Sequence, residues 1–484
     1  MLRQTFTPAP AVKLLVNIGA CLDIVTGTFV KGKYGENILL GGLGSTTGVV
    51  GGGNKFKSTV VHFMSLSAMS RLITTTETSM STYDTEVNIH EFKLKAMAEA
   101  FQIFKDRDII NDGTWVITDK TVYYGDQWFE KLKEYLKYKI DNSKKYLVET
   151  PFLDRDGVSL MKALPITVSE VDSLSEFETS DVAKIQDDNL LGESGGNTIH
   201  MRQGLSKTRL LMEIPHLSGS ANHFFLFTAH LGKDMQIASG PYQQAPEKKL
   251  QHMKMGDKIK GVTDKFFFLL SNCWSAVSAT PLVNQGTKAP EYPKDSEENQ
   301  DSGSLDLNIV TLKQLRSKSG PSGITVDLVV SQSEGVLASL TEFHYIKDCD
   351  RFGLSGTLQS YSLDIYPDVK LSRTTVRGKL KEDAKLERAM NITSELCQMH
   401  QYHYSQKPIL CTAKELYDGI KEKGYDWDFI LEHTRGWWTF NNDDHPTKYF
   451  LSTKDLLLMR LGVYHPYWME SDCKTIKKEF QKSN

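Results

Sequence analysis

The sequence lacks the features that would export the chain, anchor it in a membrane or cross-link it. Its six cysteines are scattered and form no C-x-x-C pair, so neither a disulfide framework nor a zinc site is predicted. No apolar run approaches the roughly 20 residues that a membrane-spanning helix needs. A charged segment followed by an apolar stretch, as in a signal peptide, is also missing from the start of the sequence. We therefore expect a reduced, cytoplasmic protein.

A strong charge of one sign is missing as well. Lysine and arginine number 57 and aspartate and glutamate 60, which gives a formal net charge of -3 at pH 7. A site for a polyanion such as nucleic acid must therefore be a local patch. Apolar residues make up 40% of the chain and charged residues 24%, as in ordinary globular proteins. A chain of 484 residues predicts two or three structural units.

Strand-like and helical patterns alternate along most of the chain. Helices are predicted over 58–72, 92–104, 127–139 and 379–403. Strands are predicted over 46–50, 79–84, 114–118, 166–171, 223–229, 265–270, 307–312 and 323–330. Such alternation predicts an α/β fold with a mainly parallel central sheet that is covered by helices on both faces.

Changes in composition suggest how the chain is divided. An acidic, proline- and serine-containing stretch at about 287–306 has few apolar residues, and we expect it to be a disordered or exposed insertion. It interrupts a predicted core over residues 15–365. From residue 366 to 484 the sequence becomes charged and helical and ends in a region rich in tryptophan and tyrosine, which predicts a smaller C-terminal domain of unassigned fold. Its tryptophans are expected to form a core, and stacking on nucleic acid is the alternative.

A glycine-rich segment after the first predicted strand has the pattern of a phosphate-binding loop. Such a loop needs small residues so that main-chain N–H groups can face the phosphates, a lysine for the β- and γ-oxygens, and a serine or threonine for Mg²⁺. The segment departs from the pattern G-x-x-x-x-G-K-[ST] at one position, where Phe56 replaces glycine. A flexible loop followed by an ordinary surface lysine is the alternative. The predicted nucleotide-binding residues are Gly51, Gly52, Gly53, Asn54, Lys55, Phe56, Lys57, Ser58 and Thr59.

The loop G-G-G-N-K-F-K-S-T resembles the phosphate loop of the UvsX-type recombinases of T-even-like phages. These proteins also carry Phe-Lys-Ser where most RecA-type relatives carry Gly-Lys-Thr. The segment at residues 21–27, C-L-D-I-V-T-G, resembles the entry to the core of RecA-like domains, and motif-level similarity continues in order to about residue 356. The resemblance implies a RecA-like P-loop ATPase core that uses ATP and Mg²⁺.

The same resemblance implies catalytic and metal-binding residues. Glu86, in Asp-Thr-Glu after a predicted strand, corresponds to the glutamate that activates the attacking water. Asp172 corresponds to the aspartate that holds Mg²⁺ together with Ser58, although Glu170 is a competitor for this role. His230 corresponds to the polar residue that links the γ-phosphate to a DNA-binding loop. A solvated loop acid and a strand-end histidine without a role are the alternatives for residues 86 and 230.

Two further groups of cations follow from the resemblance. Lys313 and Arg316 correspond to basic residues that reach the γ-phosphate bound by a neighbouring subunit, whereas an exposed basic edge strand is the alternative. Two long polar loops, at about 176–198 and 231–262, correspond to the loops that line the axis of a recombinase filament. The second loop combines lysines with an aromatic side chain, as expected for single-stranded DNA. The predicted DNA-binding residues are Arg202, Lys207, Tyr242, Lys248, Lys249, Lys254, Lys258 and Lys260.

These features favour an ATP-dependent homologous-recombination protein. It would bind single-stranded DNA as a filament, promote pairing with homologous duplex DNA, and use residues 1–14 as a possible oligomerisation arm. A RecA-core hexameric helicase or helicase loader is a second hypothesis, and an ATP-dependent oligomeric scaffold is a third. The phosphate loop begins within the first 55 residues, so we expect no N-terminal primase-like or collar domain of the helicase kind.

Overall fold

The computed structural model describes residues 9–23, 27–72, 78–188, 196–233, 248–357, 359–440 and 448–481. Its strands are β1 (Phe29–Lys31), β2 (Asn37–Leu39), β3 (Thr46–Gly51), β4 (Met80–Asp84), β5 (Trp115–Asp119), β6 (Val148–Leu153), β7 (Leu160–Ala163), β8 (Thr167–Asp172), β9 (His223–Lys233), β10 (Asp257–Ile259), β11 (Asn272–Pro281), β12 (Leu307–Ser317), β13 (Thr325–Ser331), β14 (Gly335–Val336), β15 (Leu354–Thr357), β16 (Ser360–Leu363), β17 (Tyr366–Leu371), β18 (Thr434–Arg435) and β19 (Tyr449–Phe450). Its α-helices are α1 (Lys57–Leu72), α2 (Glu91–Ala98), α3 (Gly125–Asp141), α4 (Ser143–Tyr146), α5 (Ser180–Asp188), α6 (Gly196–Ala221), α7 (Asp264–Phe267), α8 (Ala338–Asp348), α9 (Val376–Glu382), α10 (Ala384–Tyr402), α11 (Ala413–Glu422), α12 (Trp427–His433) and α13 (Thr453–Arg460).

A ten-stranded mixed sheet forms the centre of the molecule. Its strand order is β14-β13-β12-β11-β3-β9-β8-β4-β5, and β10 pairs with β9 outside this path. The six strands from β11 to β5 are parallel to one another, whereas β12, β13, β14 and β10 join by antiparallel pairing. The α/β class and the mainly parallel sheet are therefore confirmed.

Both faces of the sheet are buried, as expected for parallel strands. Neighbouring residues of one strand point to opposite faces, so Val49 belongs to the core beneath α1 and Val50 to the core beneath α3 and α6. All six residues of β3 and all six of β8 are buried. These central strands therefore hold their carboxyl ends in fixed positions at one edge of the sheet.

Seven of the eight predicted strands are present, and the strand predicted over 265–270 is wrong. That segment forms the short helix α7 followed by a turn. Phe266, Phe267 and Leu270 are buried, while Phe268 is 57% exposed, a spacing that fits a helical turn on the face of a sheet. The strand that follows, β11, was not predicted from the sequence.

Two of the predicted helices have different limits in the structure. The helix predicted over 92–104 ends at Ala98. The helix predicted over 379–403 is divided into α9 and α10, because Asp383 between them accepts hydrogen bonds from the main-chain N–H groups of Lys385 and Leu386 at 2.9 and 3.0 Å. An aspartate in this position starts a new helix.

More than half of the residues in the acidic stretch at 287–306 are exposed, as expected for an exposed insertion, but parts of it pack against the rest of the chain. Tyr292 is fully buried in a core that it shares with the C-terminal part of the chain. Arg377 of α9 is 7% exposed and pairs with Glu298 at 3.6 Å and with Asp306 at 3.3 Å. From the sequence these carboxylates were expected to be solvated. In the structure they balance the charge of a buried arginine that is more than 70 residues away in the chain.

The C-terminal region shares its cores with the sheet. The predicted boundary between residues 365 and 366 falls inside the three-stranded sheet of β15, β16 and β17. Trp427 and Trp468 belong to a core that also contains Val329 of the central sheet, and Trp438 belongs to the core beneath α1. These three tryptophans are buried, so the expectation of a core is confirmed for them, whereas Trp437 is half-buried.

The N-terminal segment follows the surface of the same chain where it is described. Leu14 is 8% exposed, and Arg155 donates hydrogen bonds to the main-chain oxygen of Ala9 at 2.7 and 3.0 Å. Residues 1–8 of the predicted oligomerisation arm lie outside the described residues. The role of the arm remains a prediction.

Replacing Trp438 with alanine is expected to lower the free energy of unfolding by about 3–5 kcal/mol, the usual cost of removing a large buried side chain. Its indole N–H donates to the carbonyl oxygens of Leu15 and Leu40 at 3.2 and 2.8 Å, and its ring meets Phe152 edge-on. Urea denaturation followed by circular dichroism measures the change. Val463→Ala is the control, because Val463 is 72% exposed. Equal midpoints for the two variants would contradict the prediction.

Candidate functional site

The predicted phosphate loop lies between the end of β3 at Gly51 and the start of α1 at Lys57. Within it the main chain adopts positive φ angles at Asn54 (54°) and Phe56 (55°). This region is uncommon for residues with a side chain, and a phenylalanine there is unusual. The first turn of α1, with its unpaired N–H groups and partial positive charge, begins at the loop. The predicted order of strand, loop and helix is therefore confirmed.

The loop is held against β11. The Lys55 ammonium group donates a hydrogen bond to the carbonyl oxygen of Val277, and Phe56 packs against the core beneath α1. At Gly51 an added Cβ would lie 2.8 Å from the carbonyl oxygen of Ala276, so only glycine permits this approach of the two strands. The first glycine of the loop thus has a packing role.

The remaining loop residues differ in how far solvent reaches them. Gly53 and Asn54 are exposed at the tip of the loop, and Gly52 and Ser58 are half-buried. Thr59 is 4% exposed in the first turn of α1. The tip and the hydroxyl of residue 58 are therefore accessible to a ligand, whereas residue 59 belongs to the core.

Lys57 is 8% exposed, and its ammonium group donates a hydrogen bond to the carbonyl oxygen of Gly52 at 2.8 Å. Burial lowers the pKa of Lys57, and the negative charges of Asp172 and Glu86 oppose this shift. The lysine of the loop and these two carboxylates, which come from three different strand ends, therefore share one electrostatic environment.

Asp172 ends β8 and is 7% exposed. The hydroxyl of Thr228 in β9 donates a hydrogen bond to its carboxylate. On the other side, the main-chain N–H of Thr85 donates to the main-chain oxygen of Asp172 at 2.8 Å, and the N–H of Ser173 donates to the Thr85 hydroxyl at 2.7 Å. Both neighbouring strands thus fix the position of this carboxylate.

Glu170 lies on β8 two residues earlier and is directed elsewhere. It is fully buried, with Oε2 at 2.9 Å from Nδ1 of His62 in α1 and at 2.8 Å from the hydroxyl of Thr82. The same hydroxyl accepts a hydrogen bond from the indole N–H of Trp115 at 2.8 Å. Glu170 therefore links α1 to the sheet, which leaves Asp172 as the carboxylate of β8 at the strand end.

The buried pair of His62 and Glu170 predicts a pH-dependent contribution to stability. Burial alone lowers the pKa of His62, but the charge and hydrogen bond of Glu170 outweigh it, and the net pKa is raised. Protonated His62 therefore stabilises the folded state fully below its unfolded pKa of about 6.5, and this contribution is lost as the pH rises through the folded pKa. Asp172 adds to the shift, and Lys93 of α2 opposes it.

Glu170→Gln is expected to lower the free energy of unfolding by about 2 kcal/mol at pH 6, as for loss of a charged hydrogen bond. The difference from the unmodified protein should shrink as the pH rises through the folded pKa of His62, which lies above the unfolded value. Urea denaturation at several pH values measures both effects. Glu149→Gln provides a control because its side chain is 59% exposed. A difference that stays constant with pH would rule out a charged His62.

Asp84, the last residue of β4, organises the loop that carries Glu86. Its two carboxylate oxygens accept hydrogen bonds from the main-chain N–H groups of residues 86–89 at 2.7 to 2.9 Å. Val87 within this loop has a positive φ of 54°. A single side chain therefore fixes the path of the main chain after β4 and the position of the glutamate.

The Glu86 side chain lies where three strands end. Its Oε2 accepts a hydrogen bond from the Asn88 amide at 3.0 Å, and its Oε1 accepts one from the Ser173 hydroxyl at 3.4 Å. Nε2 of His230 is 3.7 Å from the same Oε1. The carboxylate and the imidazole are each about one-third exposed. The structure thus brings together the two residues predicted at 86 and 230.

Lys313 and Arg316 lie on β12, beyond β11 from the loop. Lys313 pairs in register with Ser275, near the same sheet edge, and is half-buried. Arg316 lies farther from that edge and donates hydrogen bonds to the carbonyl oxygens of Phe268 and Leu270 at 2.9 and 3.3 Å. The guanidinium group of Arg316 is thus hydrogen-bonded to the main chain of its own molecule. A role of Lys313 or Arg316 at the ATP of a neighbouring subunit remains a prediction.

Most of the predicted DNA-binding lysines lie on a segment that we call the lysine segment, residues 248–260. Within it β10 pairs with the end of β9, and the N–H of Lys260 donates to the carbonyl oxygen of His230 at 2.8 Å. Tyr242 lies outside the described residues. The lysine side chains are exposed except for Lys249, which is half-buried; the exposed ones are Lys248, Lys254, Lys258 and Lys260.

Lys207 does not belong with this group, contrary to the prediction. It is 5% exposed, and its ammonium group donates to the carbonyl oxygens of Leu174 and Ser175 at 3.2 and 3.4 Å. Burial lowers its pKa to about 8. A cation in this position cannot reach a phosphate, and it instead holds the turn that follows β8. Arg202 belongs to α6, and its side chain lies outside the described residues.

Several residues of the site were not predicted from the sequence. The hydroxyls of Thr228 and Ser173 depend on contacts between strands that are far apart in the chain, and no local pattern indicates them. Asp84 had a signal, because an aspartate at the end of a strand commonly accepts N–H groups of the following turn. His62 had no such signal, because the sequence of an apolar helix does not indicate which side chain a histidine within it will contact.

No protein-family model matches the chain, and no curated protein matches it. Among the described helices, none combines the length and the apolar character needed to cross a membrane. The described residues also contain no group of three or more histidine, cysteine, aspartate or glutamate side chains that could hold a metal ion. The fold and the site therefore define an α/β protein with a strand–loop–helix segment and carboxylates at one sheet edge.

Proposed function

We propose that the chain is a RecA-type ATPase of homologous recombination, which assembles on single-stranded DNA and pairs it with a homologous duplex. The observation that carries the proposal is the convergence of Lys57, Asp172 and Glu86 from three strand ends at one edge of the sheet. In open α/β sheets this edge is where ligands bind. Its similarity to UvsX-type proteins at the loop supports the choice of ATP.

The phosphates of ATP would bind at the loop and the first turn of α1. Lys57 would exchange its hydrogen bond to the Gly52 carbonyl oxygen for one to the β- and γ-phosphates, which is a stronger, charge-assisted bond. Ser58 and Asp172 would hold Mg²⁺. A single carboxylate and a hydroxyl suit this ion, which keeps several waters and takes other ligands from the phosphates. When bound, Mg²⁺ offsets negative charge on the phosphoryl oxygens.

Glu86 would act as the general base. It would accept a proton from the water that attacks the γ-phosphorus, while the bond between that phosphorus and the ADP oxygen breaks. Asp84 keeps the loop in place through its main-chain hydrogen bonds. His230, next to Glu86, would report whether the γ-phosphate is present.

The lysine segment provides the connection to DNA. Its strand β10 pairs with the end of β9, and its Lys260 is hydrogen-bonded to the main chain of His230. A change at the γ-phosphate would therefore reach the cations through one strand end. The exposed lysines of the segment suit the phosphates of a single strand.

Replacing Lys248, Lys254 and Lys258 with alanine tests the proposed DNA contact. Each lost phosphate contact removes about 0.7 from the slope of log affinity against log salt, so the triple variant should lose about 2. Fluorescence anisotropy with a labelled oligothymidine over a salt series measures this slope.

A triple variant of Lys137, Lys144 and Lys145 serves as the control, since it removes the same charge from exposed positions on α3 and α4. Its slope should remain close to that of the unmodified protein. Equal slopes for both triple variants would show that the lysine segment does not contact DNA.

A further inference from the structure

Two cysteines lie around one side-chain amide where α8 meets α10. Cys349 directly follows α8, and Cys397 lies within α10, one turn before Gln401. Nε2 of Gln401 is 3.0 Å from the sulfur of Cys349 and 3.9 Å from the sulfur of Cys397. Both sulfurs thus lie beside the same nitrogen atom. The sulfurs are therefore close enough to react together.

A third residue fixes the orientation of the amide. The hydroxyl of Tyr345 donates a hydrogen bond to Oε1 of Gln401 at 2.5 Å, so the NH₂ group of Gln401 must face the sulfurs. An N–H donor stabilises the thiolate form of a cysteine. Tyr345 and Cys349 lie one turn apart at the end of α8. Tyr345 orients Gln401, and the amide of Gln401 contacts the sulfur of Cys349.

The two thiols differ in access and in acidity. Cys349 is half-buried beside the exposed Gln401, whereas Cys397 is 2% exposed. The neighbouring Cys397 thiol and the Gln401 amide lower the pKa of Cys349 against the opposing effects of burial and of Asp348. The proximity of Cys349 and burial raise the pKa of Cys397. The accessible sulfur is therefore the nucleophile, and the buried sulfur keeps its proton.

Two more titratable groups face this pair. Cys21 is 4% exposed, its pKa is raised by burial, and Tyr402 of α10 lies close enough to interact with both sulfurs. Neither carries charge near neutral pH, so neither disfavours the thiolate of Cys349. The negative charge of the nearby Asp348 carboxylate does disfavour the thiolate of Cys349.

We propose that Cys349 and Cys397 form a modification site for hydroperoxides, which closes to a disulfide. The thiolate of Cys349 attacks one peroxide oxygen, the O–O bond breaks, and a sulfenic acid and hydroxide form. The sulfur of Cys397 then attacks the sulfenic sulfur, loses its proton and releases water. Two thiols are thereby oxidised by two electrons, and one hydrogen peroxide is reduced to two waters.

The disulfide would add a covalent bond between two parts of the chain that otherwise meet by packing and hydrogen bonds. α8 packs on β13 of the central sheet, and α10 is the central helix of the C-terminal region. Oxidation would therefore tie the C-terminal region covalently to the sheet. This inference is independent of ATP and DNA, because no residue of the nucleotide site takes part.

Alkylation kinetics test the reactivity of Cys349 in the full chain. Cys473 is the internal control, since it is also half-buried, but burial and Asp472 raise its pKa. At pH 6 Cys349 should react with iodoacetamide about twentyfold faster, because a much larger thiolate fraction outweighs the lower nucleophilicity of a more acidic thiol. Gln401→Leu should reduce this ratio. Equal rates for Cys349 and Cys473 would overturn the proposal.

Peroxide treatment tests the disulfide itself. After one equivalent of hydrogen peroxide, digestion and mass spectrometry should show a peptide pair joined through Cys349 and Cys397, which dithiothreitol separates. In Cys397→Ser the sulfenic acid of Cys349 should persist and react with dimedone. If the unmodified protein instead accumulates sulfinic acid at Cys349 with Cys397 still free, the pairing is wrong.

Discussion

Glu86→Gln is expected to slow ATP hydrolysis at least about a hundredfold, the usual effect of removing a general base, and to leave ATP affinity nearly unchanged. Glutamine keeps the shape of the side chain; its oxygen can still accept the hydrogen bond from Asn88, and its NH₂ group can donate to the Ser173 hydroxyl. It cannot accept the proton of the attacking water. Phosphate release and equilibrium nucleotide titration measure the two quantities separately.

Glu91→Gln is the matched control, because Glu91 is an exposed carboxylate in the first turn of α2, just beyond the same loop. It should hydrolyse ATP at the rate of the unmodified protein. Normal hydrolysis by Glu86→Gln would instead show that the base is a different residue.

The same variant separates a recombinase from a helicase. A recombinase needs bound ATP to keep its filament, whereas a helicase needs repeated hydrolysis in order to move. With saturating ATP, Glu86→Gln should therefore form filaments on single-stranded DNA and still pair homologous strands. Electron microscopy and a strand-pairing assay detect these outcomes. Closed rings, together with unwinding of forked duplexes by the unmodified protein, would favour the helicase instead.

Lys57→Ala is expected to abolish ATP binding and leave the fold intact. The side chain is the buried cation of the loop, and its contact within the protein is one hydrogen bond to the Gly52 carbonyl oxygen. Burial disfavours its charge, so its loss should change the free energy of unfolding by less than about 1 kcal/mol. Titration with a fluorescent ATP analogue and urea denaturation test the two statements.

Lys120→Ala controls for the loss of positive charge. Lys120 is exposed and directly follows β5, so it lies at the same edge of the sheet as the loop. Its replacement should leave nucleotide binding unchanged. If Lys57→Ala binds the analogue as tightly as Lys120→Ala does, the loop is not a phosphate site.

The sequence was sufficient for the parts of the fold that depend on local pattern. The strand before Gly51, the glycine loop and the helix from Lys57 follow one another in the chain, so their order can be read directly. Residues at 86, 172 and 230 follow predicted strands, and the carboxyl ends of parallel strands share one edge. Their proximity could therefore be expected without knowing which strands are neighbours.

Other features depend on partners that are distant in the chain. The apolar run at 265–270 fits a strand or a buried helical turn equally well. The helical turn forms because the segment packs on a face of the sheet, and the sequence does not show this packing. The carboxylates of 287–306 read as solvated because their partner, Arg377, comes much later. Lys207 was predicted to bind DNA, because the residues around it in the sequence do not show that it is buried. In the structure its ammonium group is hydrogen-bonded to two carbonyl oxygens.

The shared core has a consequence for the way the chain is made. Trp438 completes the core beneath α1, and Asp455 accepts hydrogen bonds from Asn37, 418 positions earlier. During synthesis the sheet strands leave the ribosome long before these partners exist. The nascent sheet therefore exposes apolar surface until these partners have been synthesised, as in other proteins with contacts of long sequence separation.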